Sequence, residues 1–301
     1  MTKLSTTRRS LRRTSVLVAA GLIVSILAVR ADADPLDPYL GNPGRSLPNL
    51  VPTVADIHVD DYRFTDTAFE QGQFLLFDTR AQNLGTVPLQ LTVDEVDTPE
   101  TSTVSQCVSW RSVEAHLCRA TEPAGGFTWH DDHNHFHYTD FATYQLRKVV
   151  GNRPDYSDAG LVRRADKVSF CLVDSDTARP DARPVPLYKS CLPAVQGITP
   201  GWTDIYDYDT VGQNFPLAGM TDGTYALVID MDYANTILET DDTDNYVEVI
   251  FEISGGLKDV QIVSHHWPPP DDRGTPTTTT TTTKKKPKKP KVPHTNNGNG
   301  N

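Results

Sequence analysis

The distribution of apolar residues most constrains what this chain can fold into. They come in short runs rich in β-branched and aromatic side chains. Alternating or continuous runs cover Val54 to Phe64, Gln73 to Thr79, Val87 to Val93, Val168 to Val173, Tyr225 to Ile229 and Tyr246 to Phe251, with a last short one from Asp259 to Val263. Gly, Pro, Asn and Asp separate them, as turns require. No long segment sustains a helical period. Several short strands with turn signals between them predict an all-β chain, a β-sandwich with long irregular loops. The irregular stretches are expected at Asp94 to Phe127 and at Asp174 to Asn214. Loops of that length in a compact domain are usually functional or anchored.

Neither end reads as part of this fold. Arg8, Arg9, Arg12 and Arg13 precede an apolar run from Val16 to Val29, and Ala31-Asp32-Ala33 follows. A basic start, a short apolar stretch and a small-x-small site read as a secretory signal over residues 1–33. The run is short for a membrane span. Residues 34–46 then serve as a linker, and the folded domain is expected over 47–265. From 266 to 301 the chain becomes a Thr-, Lys- and Pro-rich tail, with threonines from Thr277 to Thr283 and a lysine cluster from Lys284 to Lys291. With few apolar residues to offset ordering entropy, the tail is expected to be disordered. Its basic charge suits an anionic wall polymer or membrane surface at the cell exterior.

Removing the ends sharpens the charge. The whole chain carries −11, and residues 34–273 carry −22. Such a core repels nucleic-acid phosphates and attracts cations, amines included. The four cysteines, Cys107, Cys118, Cys171 and Cys191, allow three pairings. Two local pairs, Cys107–Cys118 and Cys171–Cys191, would close short loops. Bridges of this kind persist in the oxidising conditions met by a secreted or cell-surface protein.

The most informative segment is Trp129-His130-Asp131-Asp132-His133-Asn134-His135-Phe136-His137. Four of the chain's nine histidines fall here. In an extended strand, side chains two apart share a face, so His133, His135 and His137 can converge on one metal. Neutral imidazole suits copper or zinc. His130 breaks the register of two, which suits a supporting role as well as ligation.

With these residues in hand, the sequence resembles the lysyl oxidase family. The Trp-His-x-x-His-x-His-aromatic-His run is similar to that family's copper motif. Leu47-Pro48-Asn49-Leu50-Val51-Pro52, Asn83-Leu84-Gly85-Thr86, Lys167 to Leu172, Gln196-Gly197-Ile198, Gly201 to Tyr206, and Glu239-Thr240-Asp241 with Asp244-Asn245 resemble further family segments in the same order. The resemblance runs from Leu47 to Ile253. It implies copper on His133, His135 and His137, and a lysine tyrosylquinone built from Lys167 and Tyr206. The chemistry is consistent with those residue types, since a phenol can become a quinone and a deprotonated amine can add to it. Lys167 is therefore expected to be partly buried. Tyr208 is the rival position for the quinone. The implied reaction is oxidative deamination of a primary amine, on peptidyl lysine or a small molecule, with molecular oxygen as oxidant and aldehyde, ammonia and hydrogen peroxide as products. Asp204 is the preferred catalytic base, with Asp207 and Asp209 as competitors. The resemblance also marks Cys171–Cys191 as a retained bridge. Asp132 departs from the family, standing where animal members often have cysteine, and Thr143 falls near a family histidine.

Two other readings use the same histidines. One is a copper-binding extracellular protein without amine oxidation. The other is a zinc hydrolase on the same scaffold, with three imidazoles and an open position. Neither needs Lys167.

Overall fold

The computed structural model describes residues 47–65, 68–98, 101–131, 134–191 and 195–266. The signal reading, the linker and the tail lie outside them, as does His133. Among the described residues, eighteen strands and one short 3-10 turn, Asp158–Gly160, make up the regular structure. The strands are β1 (Leu50–Thr53), β2 (Ile57–Phe64), β3 (Phe69–Phe77), β4 (Thr79–Asn83), β5 (Leu89–Thr98) and β6 (Thr101–Ser112). Next come β7 (Leu117–His130), β8 (His135–Tyr138), β9 (Ala142–Val150), β10 (Arg153–Pro154), β11 (Leu161–Arg164) and β12 (Asp176–Thr177). The last six are β13 (Val195–Ile198), β14 (Trp202–Tyr206), β15 (Asn214–Pro216), β16 (Gly223–Met231), β17 (Tyr246–Ser254) and β18 (Asp259–His266). The all-β expectation is borne out.

Hydrogen bonding joins the strands into four sheets, ordered β1-β4-β14-β12, β10-β9-β16-β17-β18 with β11 on β9, β13-β5-β6-β7-β8, and β15-β3-β2. The pairings are antiparallel. Strand β1 packs across β16 and β17, so the first two sheets face each other. One large apolar cluster takes residues from all four sheets, including Leu50, Leu75, Phe77, Leu91, Phe127, Tyr138, Leu227 and Phe251. Each fully buried Leu or Phe contributes about 2 kcal/mol by leaving water. A smaller cluster of Val87, Cys107, Trp110 and Val113 sits by the Cys107–Cys118 bridge. The second bridge is Cys171–Cys191, so the local pairing holds for both.

Three expectations fail, one of them in part: Asp174 to Asn214, expected to be irregular, holds β12, β13 and β14. The stretch from Asp94 to Phe127 is not irregular. It forms the long hairpin β6–β7, whose register shifts between Thr103 and Ser105 and repeatedly from Cys107 to Ser112. Bulges insert residues and break the alternation by which strands are recognised. The reverse error concerns Val168 to Val173, which belongs to no strand. Its Phe170 makes an isolated bridge to Tyr138. The remaining backbone groups scatter to other partners: Phe141 N–H donates to Val168 O, and Gly197 N–H to Leu172 O. Phe170, Cys171 and Leu172 are buried, so the apolar run records packing and not pairing within a sheet.

Three motif segments meet in one knot away from the histidines. Asn83 uses its whole amide: its Nδ2 donates to Val87 O and Ile198 O, and its Oδ1 accepts from Asn49 and Gly85. Buried Glu239 accepts from Leu50 N–H and from Asn245 Nδ2. Thr240 N–H donates to Pro48 O, and Asn49 Nδ2 to Asp244. Gly85 is required here, since a Cβ would lie 2.7 Å from Asn49 N.

Candidate metal and quinone site

The histidine strand is placed by a turn. Asn134 N–H donates to His130 O, and Asn134 holds a φ of 55°, a left-handed conformation that asparagine tolerates. The turn sends the chain back as β8 along β7, with His130 opposite His135 and Thr128 opposite His137. Period two then puts His135 and His137 on one face. Their Nε2 atoms lie 2.8 Å apart. His130 reaches the same place from β7, its ring stacked on His137 at 4.3 Å. His137 is 2 % exposed, and its Nδ1 faces Ser169 Oγ at 3.4 Å.

Among the described residues, no group of three or more His, Cys, Asp or Glu side chains is arranged to hold a metal ion. The donor set that is described consists of His135 and His137. A separation of 2.8 Å allows one imidazole to donate to the other. Two nitrogens about 2.0 Å from a shared ion and at a right angle also come within about 2.8 Å of each other. The pair therefore fits cis ligation of one ion. Ser169 supplies the kind of partner that fixes a ligating imidazole's second nitrogen.

The second half of the site comes from the irregular segment that carries Lys167. Its backbone is pinned at both ends: Lys167 N–H donates to Gly212 O, and Phe170 exchanges both backbone hydrogen bonds with Tyr138. Gly212 has a φ of 78°, and a Cβ there would meet Lys167 N at 3.3 Å. Lys167 is half-buried, as expected. Its Nζ lies 5.2 Å from the centre of the Tyr206 ring and 4.7 Å from that of Phe170. Phe170 meets Tyr206 edge-on at 4.6 Å. Behind it, Tyr144, Phe77 and Phe215 continue an aromatic column into the core.

Tyr206 ends β14. Its hydroxyl donates to Cys171 O at 2.6 Å, and Gln213 Nε2 holds its carbonyl. Burial pushes the phenol well above its usual range, and the Asp204 carboxyl adds to the rise. Asp204 lies two residues earlier on the same strand, on the same face. It is 1 % exposed, and burial raises its carboxyl to about 8 against a hydrogen bond from Ser175 Oγ. At neutral pH it therefore holds its proton. Tyr208 has turned away, packing edge-on against His58 at 4.7 Å. Asp207 and Asp209 are exposed in the loop beyond.

One buried side chain joins the halves. Gln196 Oε1 accepts from Leu172 N–H, and its Nε2 donates to Phe136 O between the two histidines. Neither Gln196 in this role, nor Ser169, nor Phe170 was singled out as a site residue from sequence. A glutamine inside a short strand flanked by glycine was the one available signal.

The chain matches the lysyl oxidase family model over residues 106–262, just over half its length. It is 30% identical over 134 residues to human lysyl oxidase homolog 1, covering 44% of this chain and 21% of that protein. It is 27% identical over 136 residues to pig protein-lysine 6-oxidase, covering 45% and 50%, and 26% identical over 147 residues to the chicken protein-lysine 6-oxidase, covering 48% and 30%. The matched regions thus span between a fifth and a half of these relatives. The segment with His130, His135, His137, Lys167, Asp204 and Tyr206 lies inside the matched range, and the chain belongs to the lysyl oxidase family.

Proposed function

We propose that this protein is an exported copper amine oxidase that converts primary amines, peptidyl lysine among them, to aldehydes. One observation carries the reading: the Lys167 amine sits over the Tyr206 ring, 5.2 Å from its centre. In this reading His133, His135 and His137 hold copper, with His133 contributed from outside the described residues. Copper and a quinone made from Tyr206 and Lys167 supply the redox and electron-withdrawing chemistry that oxidation of an amine by dioxygen requires. One amine, one dioxygen and one water give one aldehyde, one ammonia and one hydrogen peroxide.

The chain's own groups do the rest. Ser169 and the stacked His130 ring fix the orientation of His137. Phe170 walls the lysine and the phenol from the core and keeps water from that side. Asp204 is the base that takes a proton from the substrate's amine-bearing carbon, and it does so only once it has lost its own. With its carboxyl raised to about 8, turnover rises with pH through that range. The signal over 1–33, the domain over 47–265 and a cell-exterior location belong to the same proposal, and the two disulfides accord with export.

The test is the visible spectrum of copper-loaded protein before and after phenylhydrazine. A quinone band that shifts on hydrazone formation, together with peroxide release from an added amine, is the expected result. A copper-loaded protein with no such band leaves a metal-binding protein, and Lys167 and Tyr206 lose their roles.

A further inference from the structure

Lysine and arginine are distributed unequally along the chain. Residues 34–273 contain four lysines against twelve arginines, whereas residues 284–291 contain six lysines and no arginine. The two side chains carry the same charge but differ in chemistry. A lysine side chain ends in a primary amine on a CH2 group, which an amine oxidase can oxidise. A guanidinium offers no such amine. If the tail needed only positive charge, arginine would serve, as it does over the core. The tail instead concentrates oxidisable amines.

The fold sets the strand that precedes the tail against β2. The last described strand, β18, ends at His266 and packs against β2. Strand β2 and the residues before it carry Asp56, His58, Asp60 and Tyr62, and His58 packs on Tyr208. Burial raises the Tyr208 phenol, and the carboxylates of Asp209, Asp56, Asp60 and Asp207 raise it further. The loop from Tyr206 through Tyr208 ends at Gly212, whose carbonyl holds Lys167. Acidic and aromatic residues thus follow Tyr206 along the chain, and β18, the last strand before the tail, packs on the strand that carries the rest of them. Seventeen residues lie between His266 and Lys284, a contour of up to about 60 Å when extended.

We propose that lysines 284–291 of this same chain are substrates of its amine site, guided there by the acidic face of β2 and the Tyr206–Gly212 loop. The inference rests on the amine-oxidase reading above and names its substrate. At each lysine the carbon bearing the amine loses two electrons to dioxygen, which becomes hydrogen peroxide. The C–N bond is replaced by C=O from water, and ammonia leaves. The product is a tail bearing aldehydes, able to condense with amines on neighbouring molecules.

The experiment uses the full chain, copper-loaded in air, with no added amine. Aldehydes are tagged with a hydrazide and located by peptide mass spectrometry, and butylamine oxidation is measured on the same preparation. Tethering raises the tail's local concentration to roughly millimolar, so its peptides should carry at least roughly tenfold more tag than those with Lys148, Lys189 or Lys258. Tyr206→Phe should remove the tag. Replacing all six tail lysines by arginine should remove both the tag and the peroxide released without added amine. Peroxide from butylamine with an untagged tail overturns this inference and leaves the amine oxidase standing. No peroxide from either source, with no hydrazine-reactive band, overturns both.

Discussion

Two regions of this protein carry sequence motifs of equal prominence, and they are built in opposite ways. In the knot of Pro48–Leu50, Asn83–Gly85 and Glu239–Asn245, polar side chains are spent on backbone groups. All four hydrogen bonds of the Asn83 side chain go to main-chain atoms. In the site, polar side chains face each other: imidazole to imidazole, carboxyl to phenol, amine to aromatic ring. A motif alone does not separate scaffold from chemistry. What separates them is whether a side chain's neighbours include a group able to react with it.

The strongest way to break that contrast is to remove one reactive partner. Lys167→Ala or Tyr206→Phe should lower amine turnover by roughly a thousandfold or more, as loss of a covalent cofactor would. In copper-free protein, where no cross-link has formed, melting temperature should move little, since Tyr206→Phe forfeits one hydrogen bond, about 1 kcal/mol. A large loss of stability with retained turnover would assign these residues to the scaffold.

Asp204→Asn is expected to cost roughly a hundredfold to ten-thousandfold in turnover and to abolish the rise with pH. Its effect on stability has the opposite sign. A carboxyl raised to about 8 keeps its proton in the fold while the unfolded chain loses it near 4. Between those values the folded state binds more protons, so this group's contribution to stability falls as pH rises and levels off above about 8. The asparagine variant should therefore gain more in melting temperature at pH 8 than at pH 5. An equal shift at both would remove the carboxyl's buried proton from the account.

In the knot the expectation reverses. Asn83→Ala strands several buried backbone groups and should cost about 2–4 kcal/mol, or roughly 5–15 °C in melting temperature. The quinone band per folded molecule should be unchanged. The smallest effect is expected from Tyr208→Phe: turnover of a small amine should change by less than about twofold, because the ring's packing on His58 is kept and phenylalanine lacks only a hydroxyl. Loss of the quinone band in this variant would move the quinone to Tyr208.

The sequence made the all-β class legible because turn residues punctuate its apolar runs. The approach of His135 to His137 followed from a period of two in a short, regular strand. Both disulfides followed from proximity along the chain. The hairpin β6–β7 was illegible because repeated register shifts destroy alternation in a polar stretch. The segment around Phe170 misled in the other direction, since an apolar run records burial and not the destination of its hydrogen bonds. The acidic residues beyond Tyr206 gave no way to choose among Asp204, Asp207 and Asp209. Burial separates them, with Asp204 sealed under its strand and the other two exposed. Gln196 was quoted only as part of a motif, and its two bonds show it to be the link between the histidine strand and the lysine segment.

The central claim is that Lys167 and Tyr206 react with each other. The most direct test is peptide mass spectrometry of protein expressed with and without copper, digested after reduction and alkylation of both disulfides. The account predicts a copper-dependent peptide in which the Lys167 and Tyr206 segments remain covalently joined, absent from Lys167→Ala. Two separate, unmodified peptides from fully copper-loaded, aerated protein would contradict it.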